Sequence, residues 1–122
     1  MNKTSSALDK LFEFNKITIA LNKVIERNSW DQEAIMPSGA LVDRAEEQAC
    51  LMVIAHKRQT SNEFSDLLNS IKTENLSKNE SRQISLMKKE LKRALSVPDD
   101  LIGALAKHTT LAHSVWVDAR KN

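Results

Sequence analysis

The sequence predicts an all-α fold: an antiparallel helical hairpin extended into a bundle of about five helices. Three observations carry this. The 122 residues include only two Gly, two Pro and no Tyr, and few runs of β-branched residues. Apolar residues recur at three- and four-residue spacing along most of the chain. The pattern breaks sharply once, between Trp30 and Ala40. There Pro37 cannot donate to a helix and disfavours α geometry at Met36, and Gly39 adds a flexible point. Two long helices are expected to fold back on each other at this corner. The length suits a single domain, residues 1–122, with a modest core.

The first helix is expected from about Ser6 to about Asn28 or slightly beyond. Thr4, Ser5 and Ser6 are candidate N-caps, and Asp9 complements the helix dipole. Its apolar stripe runs through Leu11, Phe14, Ile17, Leu21, Val24 and Ile25, ending at Asn28. Trp30 then stands at the corner. Its large apolar surface is expected to lie buried between the first two helices and to hold them apart.

The second helix is expected from about Gly39 to about Gln59. Its middle, Ala49 to Ala55, is apolar all round. Such a helix expects neighbours on every side. It is therefore central, or part of its partner surface comes from elsewhere. Cys50 lies in this run. A reactive thiol needs exposure and a nearby base, so a buried, inert Cys50 is expected.

Thr60-Ser61-Asn62-Glu63 reads as a capping box with Thr60 as the cap. A short third helix follows, about Ser61 to Lys72, with Phe64, Leu67, Leu68 and Ile71 on one face. After a polar connector from Thr73 to Leu76, Ser77-Lys78-Asn79-Glu80 is a second capping box. It opens a fourth helix to about Leu95, carrying Ile84, Met87, Leu91, Ala94 and Leu95. Pro98 suits the first position of a fifth helix, with Asp99 and Asp100 at its positive end. That helix continues through Leu101, Leu105, Ala112, Val115 and Ala119 towards the C-terminus. No Gly or Pro stops it before the chain ends.

The net charge is only +2, so no global electrostatic partner is implied. No apolar run approaches the roughly 20 residues of a membrane span. Met1 to Lys10 lacks the apolar core of a signal peptide, and the single Cys50 cannot form an internal disulfide. Together these give the expectation of a cytoplasmic protein that binds neither membrane nor nucleic acid. Helix four carries a basic face, Lys78, Arg82, Lys88, Lys89, Lys92 and Arg93. No aromatic side chains interleave with it for base stacking, so it reads as a solvated face.

The three histidines are the first candidates for a metal. His108 and His113 are five apart, so they point roughly 140° apart on a helix. Zinc pairs on one helix want a spacing of four. His56 lies in another helix without a surrounding motif. Asp31, Glu33, Glu46 and Glu47 gather around the corner in sequence and could serve acid–base chemistry if buried. The structural alternative is that Asp31 caps a helix or pairs with Arg44 across the corner. No phosphate-binding Gly loop, Gly-x-Ser-x-Gly or Cys-x-x-Cys occurs.

The corner is also where the chain resembles a known family. Trp30-Asp31-Gln32, then Met36-Pro37-x-Gly39, then Arg44-Ala45-Glu46-Glu47-Gln48, is similar to the N-terminal part of the carboxypeptidase Taq family of zinc metallocarboxypeptidases. Leu51 to Thr60 resembles that family's second helix. Val97-Pro98 followed by Leu101, and Trp116-Val117-Asp118-Ala119-Arg120, resemble later segments. The resemblance runs from about residue 20 to the end. It implies release of C-terminal amino acids from peptides by a zinc-activated water and a glutamate base. The family's His-Glu-x-x-His lies downstream of the region matched here. The resemblance therefore implies a scaffold role for this chain, as one wall of the substrate groove. It implies no catalytic or metal-binding residue and no cofactor of its own. Trp30, Asp31, Met36, Pro37 and Arg44 would build the hairpin, and Trp116 and Arg120 the C-terminal helix. The expected partners are the rest of a parent carboxypeptidase and a second copy of the chain, with peptide bound only by the complete enzyme. The alternative reading is a free-standing helical interaction module from a truncated gene, using the second or fourth helix to bind a partner.

Overall fold

The computed structural model describes residues 3–34 and 36–121, with side chains from Ser6 onward apart from that of Ser38. Its order is α1 (Lys3–Ala34), a 3-10 turn (Ser38–Ala40), α2 (Leu41–Gln59), α3 (Asn62–Asn69), a second 3-10 turn (Thr73–Asn75), α4 (Lys78–Leu95) and α5 (Asp99–Lys121). No strand occurs among the described residues, and the all-α expectation holds. None of the described helices is long and apolar enough to cross a membrane.

The main core lies at one end of the bundle. Leu8 and Leu11 of α1 meet Phe64 and Leu68 of α3, Ile71, and Ile84 and Leu91 of α4. Leu11, Leu68 and Ile84 are fully enclosed. Phe14 stacks on Phe64 with ring centroids 5.7 Å apart. These apolar side chains leave water together, each contributing about 1.5–3 kcal/mol by burial.

α2 and α5 pack closely along their length. Ala106 and Thr110 of α5 are buried, as are Ala45 and Ala55 of α2. A Cβ on Gly103 would stand 3.0 Å from Val53 Cγ2, so the missing side chain sets the closeness of the two helices. α2 lies between α1 and α5.

The helix ends are set by local chemistry. Ser77 and Glu80 form a complete capping box at the start of α4. At α3 the cap is Ser61, one residue after the expected Thr60. Ser61 Oγ accepts from Phe64 N at 3.2 Å, while Thr60 Oγ1 donates to His56 O at the end of α2. Pro98 lies just before α5, where its carbonyl accepts from Ile102 N at 3.2 Å. Asp99 is the first helical residue instead.

Two larger expectations fail. α1 does not end near Asn28 but continues to Ala34, so Trp30 belongs to the helix and not to the corner. It points into solvent at 70% exposure. The buried face of α1 runs through Leu8, Leu11 and Thr18, and that rotation leaves Ile17 and Val24 of the expected stripe outside. Second, Cys50 is exposed. It shares a helix side with Glu47, Ile54 and Lys57, which neither α1 nor α5 covers. On α5 the apolar stripe lies away from α2. The helix's small residues face α2, and Leu101, Leu105 and Val115 face out at 47%, 52% and 69% exposure.

Candidate functional site

The corner is built from α1 outward. After Ala34, Met36 N donates to Asp31 O at 2.8 Å, closing the end of the helix. Pro37 is exposed and follows at once. Its carbonyl accepts from Ala40 N at 3.0 Å, and this turn starts α2. Met36 is half-buried beside it.

Arg44, on the first turns of α2, reaches back across the corner. Its Nη2 lies 2.8 Å from Asp31 Oδ2, and its Nη1 donates to Asn28 O at 3.0 Å. Its Nε stands 3.4 Å from Glu47 Oε2. The guanidinium thus joins two carboxylates and a backbone carbonyl through its rigid fork of donors.

Further along the same helix face, two more polar side chains repeat the device. Gln48 Nε2 donates to Ile25 O at 3.2 Å and to Ser29 Oγ at 3.1 Å. Arg58 Nη2 donates to Phe14 O at 2.9 Å, its Nε to Thr18 Oγ1 at 3.2 Å, and its Cζ sits 4.1 Å from the Phe14 ring centroid. Gln48 is buried, and its Oε1 finds no partner among the described residues. The interface between α1 and α2 is therefore a polar seam, in which three α2 side chains hold backbone carbonyls of α1. Sequence reasoning missed Gln48 and Arg58. Their signal was a spacing that places both on the face of Arg44.

The carboxylates around the corner do not gather. Glu46 pairs with Lys107 of α5, and Glu47 lies at the outer edge of Arg44. Glu33 is exposed beside a cleft of about 270 Å³ between the ends of α1 and α5, which Met36, Leu41, Val117 and Asp118 also line. Gln32 spans this region, its Nε2 donating to Thr110 O at 3.4 Å.

The histidines lie apart. His56 is buried, with Nδ1 2.5 Å from Asp99 Oδ1 and Nε2 3.0 Å from Ala94 O. His108 is exposed, and His113 stacks near Trp116 at 6.0 Å between centroids. No three His, Cys, Asp or Glu side chains among the described residues form a set that could hold a metal ion. The residues present do not fit a catalytic metal, which takes about three protein ligands and an open position.

Trp116 and Arg120 meet on the exposed side of α5, the guanidinium 5.0 Å from the indole ring. They lie on a different helix from Trp30 and Asp31, and the described contacts join Asp31 only to Arg44 of the residues expected to work with it.

A family model described as carboxypeptidase Taq (M32) metallopeptidase matches residues 10–122. Thermostable carboxypeptidase 1 of Pyrococcus furiosus is 28% identical over 92 residues, which cover 75% of this chain and 18% of that protein. Thermostable carboxypeptidase 1 of Thermus thermophilus is 26% identical over 119 residues, covering 94% of this chain and 23% of that protein. The chain spans about a fifth of the length of these curated relatives. No solved structure gives a significant match.

Proposed function

The chain belongs to the carboxypeptidase Taq (M32) metallopeptidase family, and we propose that it serves as the N-terminal helical scaffold of a zinc-dependent carboxypeptidase. The parent activity is release of C-terminal amino acids from peptides. The observation that carries this reading is the family match across residues 10–122, nearly the whole chain. On this reading the zinc ligands and the glutamate base belong to other parts of the parent polypeptide, and the helices here form one wall of the substrate groove. Two features of the chain support a scaffold role. Arg44, Gln48 and Arg58 fix α1 against α2 through backbone carbonyls, which gives the pair a defined spacing. The described residues offer no set of side chains for a metal.

The test uses a chimera. The matched segment of the Thermus thermophilus relative is replaced by residues 10–122 of this chain, and release of C-terminal amino acids from blocked peptides is measured. A folded chimera that keeps the activity supports the reading. A folded chimera without activity overturns it. The 122-residue chain by itself, assayed with zinc or cobalt, is expected to release nothing. Turnover that a chelator abolishes and metal restores would place a site within this chain, and His56, His108 and His113 would be the first residues to substitute.

A further inference from the structure

A groove of about 890 Å³ runs between α1 and α4. Its apolar part is continuous with the fold's interior. Phe12 and Met87 line it, half-buried and packed against the main core. Ile19 and Leu86 line it too, at 47% and 50% exposure. The rest of the lining is polar. Asp9 and Glu13 lie one turn apart on α1, and Glu90 comes from α4. Lys16 is the one cation among the described lining residues. None of the three carboxylates is in an ion pair among the described residues.

The chemistry of the lining selects the occupant. Both walls are α-helices, whose backbone groups are bonded along their own axes. An extended peptide would find no main-chain partners between them, while a helix brings its backbone bonds already made. From Asp9 to Ile19 the α1 wall is about 15 Å long, nearly three turns of a partner helix. The apolar side chains suit aliphatic anchors repeating at three- and four-residue spacing on the inner face of that helix. The carboxylates suit Lys or Arg on its flanks. A wholly apolar occupant would strip water from the carboxylates and offer them no partner. An acidic one would set like charge against them.

From this groove we infer that the chain docks a basic amphipathic helix of a separate polypeptide. Phe12, Ile19, Leu86 and Met87 receive its aliphatic side chains, and Glu13 and Glu90 pair with its cations. The composition of the groove points to a partner that comes and goes. Beside the four apolar side chains stand six polar ones, Asn15 and Gln83 among them. Such a mixture is that of interfaces between proteins that also exist apart, whereas permanent contacts are more apolar. This inference does not rest on the peptidase reading, because it concerns binding to the 122-residue chain and needs no activity.

The probe is a fluorescent helical peptide of Leu, Ala and Lys, with Leu on one face and Lys on both flanks. Its counterpart carries Glu in place of every Lys. Binding to the 122-residue chain is followed by anisotropy, with helicity measured for each variant. The Lys peptide is expected to bind, and the Glu peptide at least about tenfold more weakly. Ile19→Ser combined with Leu86→Ser removes aliphatic surface without adding charge, and should weaken the Lys peptide at least about tenfold. Glu13→Lys combined with Glu90→Lys keeps the apolar surface and should reverse the preference, so that the Glu peptide binds the more tightly. Val115→Ser, on the outer side of α5, should change nothing. No binding, equal binding of the two peptides, or a loss caused by Val115→Ser and not by the Ile19 and Leu86 changes would overturn the proposal. So would self-association of the chain that those two changes abolish, because a second copy would then hold the groove. The chimera described above tests the source of the occupant. A folded chimera that binds the Lys peptide as this chain does supports a separate partner. A folded chimera that does not bind it would mean that the rest of the parent polypeptide covers the groove, and would overturn the proposal.

Discussion

Arg44 Nη2 stands 2.8 Å from Asp31 Oδ2, and the same guanidinium donates to Asn28 O at 3.0 Å. The two bonds differ in surroundings. Arg44 is mostly enclosed, with 17% of its side chain exposed, while Asp31 keeps 38%. Water can therefore replace Arg44 around Asp31 more easily than anything can replace Arg44 at the Asn28 carbonyl.

The first prediction follows from that asymmetry. Arg44→Ala should cost about 1–3 kcal/mol, because it removes a charged donor from a partly buried carbonyl and carboxylate. Asp31→Ala should cost less, within about 1 kcal/mol, the range of partly exposed ion pairs. Arg44→Lys should recover only part of the loss, since an ammonium cannot reproduce the fork. Urea unfolding followed by helicity measures all three. Equal costs for Arg44→Ala and Asp31→Ala would show that the ion pair carries the whole effect.

A second prediction concerns Trp30, which sits on the solvent side of the last turns of α1. Trp116→Phe leaves Trp30 as the sole indole. Its emission should then be red-shifted, close to that of a solvated tryptophan, and readily quenched by acrylamide. Trp30→Ala should change stability by no more than about 0.5 kcal/mol. Blue-shifted, protected emission would show that Trp30 is covered.

The contrast between these two residues shows what the sequence made legible. The Asp31–Arg44 pair could be read because both flank a proline-marked break, and opposite charges at a short corner have few other places to go. Pro37, the Ser77–Glu80 box and the number of helices were legible for the same reason, as local backbone chemistry. Which face of a helix turns inward is a tertiary matter. On α5 the larger side chains gave the stronger periodic signal, yet the small face won, because Gly103 and Ala106 let α2 come close. Trp30 was misplaced because α1 runs further than its stripe. The polar seam of Gln48 and Arg58 escaped because periodicity counts apolar residues and these contacts are hydrogen bonds to carbonyls.

Gly103 gives the third prediction. A Cβ there would lie 3.0 Å from Val53 Cγ2. Replacing a helical Gly by Ala usually gains about 1 kcal/mol in propensity, and here the crowding should cancel most of it. Gly103→Val adds bulk that cannot fit without moving α5, and should cost about 1–3 kcal/mol. The check is to combine Gly103→Val with Val53→Ala. Recovery of stability in the double variant relative to the sum of the single changes would confirm that the two positions meet. Simple additivity would show that the cost arises within α5.

His56 ties three helices together and carries the last prediction. The ring is 8% exposed, with Asp99 of α5 at one nitrogen and the Ala94 carbonyl of α4 at the other. Ala94 O also accepts from Val97 N at 3.1 Å, so the turn between α4 and α5 is closed on the carbonyl that His56 holds. The two ring nitrogens thus face Asp99 Oδ1 and Ala94 O, one from each neighbouring helix. His56→Phe keeps the ring's bulk and removes both hydrogen-bonding nitrogens. It should cost about 1–3 kcal/mol, the range for leaving a buried partner unmet. Asp99→Asn should cost less than His56→Phe, because it leaves the bond to Ala94 in place and Asp99 is itself 41% exposed. The loss should also be local. Amides at the start of α5, Leu101 to Ala104, should exchange faster in His56→Phe, while those of α3 stay protected. Uniform acceleration along the chain would show instead that His56 contributes only to global stability, and unchanged exchange with unchanged urea midpoint would show that its two hydrogen bonds contribute nothing net.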